Sequence, residues 1–183
     1  TSSERWKRCP IGLQPMNASQ WKLLRLRPDN FPHVRIAQFA SLIHSSSKLF
    51  SKIVENPEME YLRSIFVCEP SDYWKRHYLF AHESPTSDKK LGAQSINVIL
   101  INTVVPFLFC YAQQKNNQQL KDKALQLLEQ LPSERNAIIT AWQKLGINSA
   151  SAYDSQALLQ LKKQYCDDKK CLHCRIGHKV LTS

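Results

Sequence analysis

At 183 residues, 43% hydrophobic and 22% charged, the chain has the make-up of a folded globular domain and not of a disordered tract. Four glycines are few for a β-rich fold of this length, and no alternating β-branched run of convincing length occurs, so the reading is all-α. The net charge of +10 sits at the two ends: seven Lys/Arg against two acids in residues 1–35, six against two in 162–179, and twelve against eleven between them.

The opening TSSERWKRCP has no apolar signal core and begins with Thr1, as expected of a piece of a longer protein or a trimmed chain. Pro10, Pro15 and Pro28 predict an extended arm over residues 1–30, followed by a helical domain over 31–183. The Asn17-Ala18-Ser19 sequon matters only for an exported chain. Asn30 or a neighbour as cap and Pro32 in the first turn predict a helix whose buried stripe is Ile36, Phe39, Ala40 and Ile43. Ser45-Ser46-Ser47 separates it from a second piece carrying Leu49, Phe50 and Ile53.

After Asn56-Pro57 a helix is expected with Met59, Leu62 and Phe66 inward; SDYWKRHYLF (71–80) reads as a short helix and HESPTSDKKLG (82–92) as a loop. The apolar run 96–112 is short for a bilayer span and contains Asn97, Asn102, Thr103 and Pro106, which predicts a buried central helix over about 94–114. Pro106 should kink it, and Asn102 is placed to satisfy the carbonyl that Pro106 leaves free. Leu120, Ala124, Leu127, Leu128 and Leu131 mark the next helix, stopped near Pro132. Ile138, Trp142 and Leu145 mark another with Gly146 as its stop, and Ser151 or Asp154 caps a last one whose Leu158, Leu161 and Tyr165 face inward. Short connections make an irregular multi-helix bundle the natural architecture.

Two candidate sites follow. Cys166-x4-Cys171-x2-Cys174-x3-His178 offers four ligands of the kind tetrahedral zinc takes. In one continuous helix Cys171 and His178 would stand about 10.5 Å apart along the axis, so closure needs side-chain reach or a break at Gly177. The first three cysteines also fit a plant-type iron–sulfur spacing. Oxidation to a disulfide is a further possibility, and plain helix packing the blandest. Cys68 and Cys110 read as core thiols, and the scattered cysteines suit a reducing, cytoplasmic setting. The second candidate is a nucleic-acid surface formed by Lys7, Arg8, Lys22, Arg25, Arg27 and Arg35 at one end and Lys169, Lys170, Arg175 and Lys179 at the other, joined if the termini meet. Trp6 and Trp21, set among those cations, are candidate base-stacking residues. Glu69, Asp72, His77, His82 and Glu83 crowd in sequence, with Asp72 and His77 able to meet across a short helix, but surface carboxylates and a hydrogen-bonded histidine are the simpler account. No catalytic motif is present, and no membrane partner is expected.

The stretches RLRPDNFPHVRIAQFASLI (25–43), YWKRHYLF (73–80), LGAQSINVILINTVVPFLFCYA (91–112), SASAYDSQALLQLK (149–162) and YCDDKKCLHCRIG (165–177) resemble the C-terminal half of a bacterial family found mainly in Bacteroidetes, domain of unknown function 2851. The likeness covers about residues 14–178. It implies no established activity, a longer protein whose upstream half is loosely similar to restriction-nuclease-like folds, and a helical partner domain here. The resemblance implies that Cys166, Cys171 and Cys174 follow the family pattern, and it leaves open whether His178 is the fourth ligand.

Overall fold

Pro32 opens helix α1 (Pro32–Ser45), its missing N–H costing nothing at a first helical position. In the computed structural model, residues 17–21, 23 and 25–182 are described. Two units divide the chain, one of Thr1–Ala40 with Pro70–Lys89, the other of Ser41–Glu69 with Lys90–Ser183; α1 begins in the first and ends in the second.

The face that α1 buries differs from the expected one. Val34, Gln38, Leu42 and Ser46, four residues apart in succession, are buried, while Ile36, Phe39 and Ile43 are 52%, 61% and 50% exposed. Two apolar stripes compete on this helix, and tertiary hydrogen bonding selects the one that includes Gln38. Its amide donates to the Lys89 carbonyl at 2.8 Å, which removes the penalty of burying it.

In the first unit, α4 (Asp72–Lys75) is a single helical turn. It leads into a small hairpin of β1 (His77–Leu79) and β2 (His82–Glu83), antiparallel with an irregular register. The expected helix over 71–80 is therefore cut short. Aromatic side chains suit a strand as well as a helix, and Ala81 at φ +61° makes the tight connection. Buried Trp74 packs edge-on to Phe80, with ring centres 5.1 Å apart, and His33 meets Phe80 at 5.7 Å.

The second unit holds the main hydrophobic core. Helices α2 (Leu49–Glu55) and α3 (Met59–Phe66) supply Ile53, Met59, Leu62 and Phe66, as the spacing predicts. Full burial of such side chains stabilises by about 1.5–3 kcal/mol each before entropy losses. At its centre lies α5 (Ala93–Gln114), the central helix that the sequence predicts over about 94–114, which by length and composition alone would also pass as apolar enough to cross a bilayer. Leu100, Ile101, Val104, Val105, Leu108 and Ala112 of this helix are core residues of the unit.

The strain expected at Pro106 is absorbed one turn earlier. Leu100–Val104 widens into a π-turn, and the Val105 N–H donates to the Leu100 carbonyl five residues back. The Asn102 side chain does not serve its own carbonyl: it donates to the Val98 carbonyl at 3.2 Å, since helical side chains point back toward the N-terminus. Cys110 is exposed and Cys68 buried, so only one of the two is a core thiol.

Helix α6 (Gln118–Gln130) is capped by Asn117 and buries Leu120, Ala124 and Leu127. Helix α7 (Ala137–Lys144) is capped by Asn136 and ends at Gly146, whose φ of +82° supports paired bonds from Gly146 N to Gln143 O and from Ile147 N to Trp142 O. Its one fully buried residue is Ile139; the expected Leu145 is exposed, so the inward face is rotated by one residue. Helix α8 (Ala152–Leu161) starts with a reciprocal capping box of Ser151 and Asp154 and buries Ala152 and Ser155, leaving Leu158, Leu161 and Tyr165 half-buried. The fold is all-α, apart from the small hairpin.

Candidate functional site

Helix α8 does not stop at Leu161. It widens into a second π-turn, Lys162–Cys166, and then closes abruptly. Lys169 takes φ +53°, its N–H donates to Cys166 O at 3.1 Å, and the Lys170 N–H donates to Tyr165 O at 2.9 Å. This pair of bonds is the helix-ending arrangement usually built on glycine, here carried by a lysine. A 3₁₀ turn, Cys171–His173, follows, then Cys174 in extended backbone, then α9 (Arg175–Thr182).

Gly177 fixes the fold of this segment. A Cβ at that position would lie 2.5 Å from the Cys171 carbonyl oxygen and 2.9 Å from its Cα, so the helix packs against the turn at a distance only glycine permits. Of the two routes to a closed metal site, a break at Gly177 does not occur: α9 runs through it, and its close approach is what ties the helix to the cysteine turn. Residues 165–178 thus form a compact knuckle held by backbone bonds and one glycine contact.

The four expected metal ligands take different positions in it. Cys166 lines an apolar groove of about 320 Å³ with Ile138, Ala141, Trp142 and Leu145. Cys171 and Cys174 sit at the two ends of the 3₁₀ turn, the first exposed and the second half-buried. His178 follows Gly177 and so points about 100° round the helix from the contact with Cys171. Among the described residues no three His, Cys, Asp or Glu side chains gather in a metal-holding group.

The cations are distributed more openly. Lys169, Lys170, Arg175 and Lys179 are all exposed. Lys170 pairs with Asp168 at 2.7 Å and Lys162 with Asp167, whereas Lys163, Lys169, Arg175 and Lys179 form no ion pair with a described residue. On α9, Arg175, His178, Lys179 and Thr182 fall on one side by helical geometry, and Ile176, Val180 and Leu181 on the other. That apolar side is open too: Val180 is 70% exposed, and Ile176 and Leu181 are each 62% exposed.

The other end of the charge distribution belongs to the first unit. Lys7, Arg8 and Lys22, with Trp6 and Cys9, lie outside the described residues. Arg25 and Arg27 are exposed. Arg35 is engaged internally, donating to Gln38 Oε1 at 2.9 Å and to Asn30 Oδ1 at 2.5 Å. Trp21 stands beside His33, ring centres 6.2 Å apart.

The acid–histidine stretch does not converge. Asp72 pairs with Lys75 at 2.7 Å, and this hydrogen bond and charge hold its carboxyl below the usual aspartate range. His77 stacks on Tyr73 at 3.9 Å and bonds the Tyr73 carbonyl through Nδ1. Glu83 pairs with Arg76, and Glu69 with Lys90.

One residue escaped the sequence reading. Lys89 is only 2% exposed; its ammonium contacts Ser87 Oγ and lies 3.5 Å from the centre of the Tyr78 ring. The signal was weak, because SDKKLG reads as a solvated loop. Its aliphatic stem and ring-facing charge make Lys89 a packing element of the first unit.

A family model described as protein of unknown function, DUF2851, matches residues 6–137. The chain belongs to that family. The cysteine knuckle lies beyond the matched residues, and neither the curated proteins nor the solved structures searched gave a match.

Proposed function

We propose that this chain is a non-catalytic accessory domain of a larger bacterial protein of the cytoplasm, and that it holds the phosphate backbone of nucleic acid through its C-terminal knuckle. The observation that carries this reading is the set of exposed cations at Lys163, Lys169, Arg175 and Lys179 with no acidic partner among the described residues, on a backbone fixed by a capped turn and the Gly177 contact. Cations already neutralised by carboxylates gain little from a phosphate; unpaired ones release bound counterions and bind it. Such contacts position the partner without reading its sequence.

The test is fluorescence anisotropy at low salt with labelled duplex DNA and single-stranded RNA. Binding that is indifferent to sequence, and weakened by the combined Lys169→Ala, Arg175→Ala and Lys179→Ala substitutions, is the expected outcome. No anisotropy change at low salt, or an unchanged affinity in the triple variant, contradicts the reading.

A second reading, a protein-interaction module, draws on the open apolar side of α9. Ile176→Ser together with Leu181→Ser, which leave the charge unchanged, would abolish capture of a protein partner while leaving nucleic-acid affinity in place.

A further inference from the structure

We propose that Cys171 and Cys174 form a dithiol–disulfide couple that exchanges with anionic low-molecular-weight disulfides of the glutathione type, while Cys166 stands outside it. The backbone is already set for the bond. The Cys174 N–H donates to the Cys171 carbonyl at 3.2 Å, closing a turn over the two intervening residues. A turn so closed brings its end Cα atoms within about 7 Å. Disulfides span Cα separations of roughly 4.4–6.8 Å, so side-chain rotation suffices to bring the sulfurs together.

Accessibility orders the steps. Cys171 is exposed and meets an external disulfide first; Cys174, half-buried at the other end of the same turn, resolves the adduct. In the first step the Cys171 thiolate attacks one sulfur of the external disulfide, forming a mixed disulfide and expelling one small thiolate. In the second the Cys174 thiolate attacks Sγ of Cys171, forming the internal bond and expelling the other. The two protons given up by the cysteines end on the two released thiols, so one external disulfide is reduced for each protein disulfide made.

Specificity for the pair follows from where the third thiol sits. Cys166 lines the groove with Trp142 and Leu145 and precedes the helix-ending turn at Lys169 in the chain, whereas Cys171 and Cys174 follow it. The Gly177 contact holds Cys171 against α9. Lys169, Lys170 and Arg175 flank the pair and draw a negatively charged disulfide toward it, an attraction that salt weakens.

The experiment incubates the whole reduced chain with oxidised glutathione, blocks remaining thiols by alkylation and maps the products by mass spectrometry. The wild type is expected to lose two alkylatable thiols in a Cys171–Cys174 linked peptide, at a rate that falls as ionic strength rises. Cys174→Ser should trap glutathione on Cys171, Cys171→Ser should lose the rapid adduct, and Cys166→Ser should behave as wild type. A disulfide that includes Cys166, thiols that stay reduced at every glutathione ratio, or thiols shielded by a stoichiometric zinc ion would each overturn the proposal.

Discussion

Two parts of the second unit are ordered by different forces. The α3–α5–α6 core is held by burial: Leu62, Leu100, Leu108 and Leu127 are almost fully removed from water. The 165–178 knuckle has no fully buried side chain, and its shape rests on backbone bonds and the Gly177 contact. Burial leaves little chemistry exposed. A segment fixed by its backbone can present cations, thiols and an apolar helix side to the solvent at once, which is why the candidate site sits there.

The sharpest way to break this contrast is to cut the same kind of side chain from both parts. Leu108→Ala, at a position 0% exposed, is expected to cost about 2–5 kcal/mol in denaturant unfolding. Leu172→Ala in the knuckle should stay within about 0.5 kcal/mol. Equal losses would show that the knuckle is packed as core. Next in size is the cap of α8: Ser151→Ala removes the acceptor for the Asp154 N–H and is expected to cost about 0.5–2 kcal/mol by the same measurement.

A local effect should follow from Gly177→Ala. The added methyl would meet the Cys171 carbonyl, so hydrogen exchange of the His178 amide, which donates to Cys174 O at 2.7 Å, should accelerate while the core amides keep their protection. Uniform protection across the variant would contradict the role given to this glycine. The smallest effect concerns the exposed Asp72. Its folded carboxyl titrates below its unfolded value, so the Lys75 pairing favours the fold above the unfolded pKa and is lost as pH falls through the folded one. An NMR titration should show the low midpoint return to the ordinary aspartate value in Lys75→Ala.

How much of this was legible in the sequence depended on how many faces a helix offered. Met59, Leu62 and Phe66 form one unambiguous stripe on α3, and burial followed it. Helix α1 offered two, and periodicity alone could not show that Gln38 would find the Lys89 carbonyl and carry Val34 and Leu42 inward with it. The cap at Ser151 and the stop at Gly146 are local, so residue type and position sufficed to place those helix ends. The π-turns were hidden, since they record an accommodation between Pro106 or the α8 terminus and the surrounding chain and not a residue preference. In the site, the spacing brought three cysteines and a histidine to notice but not their directions. Those were set by the left-handed Lys169 and by Gly177, which docks the helix against the Cys171 turn.

The salt dependence of DNA binding by the wild type and by the Lys169→Ala, Arg175→Ala, Lys179→Ala variant tests the role of the knuckle most directly. At about 0.9 released counterions per phosphate contact on duplex DNA, the plot of log Kobs against log salt should be shallower by about 2.7 in the variant. Parallel plots for the two proteins would contradict the account, because they would mean that these exposed cations touch no phosphate.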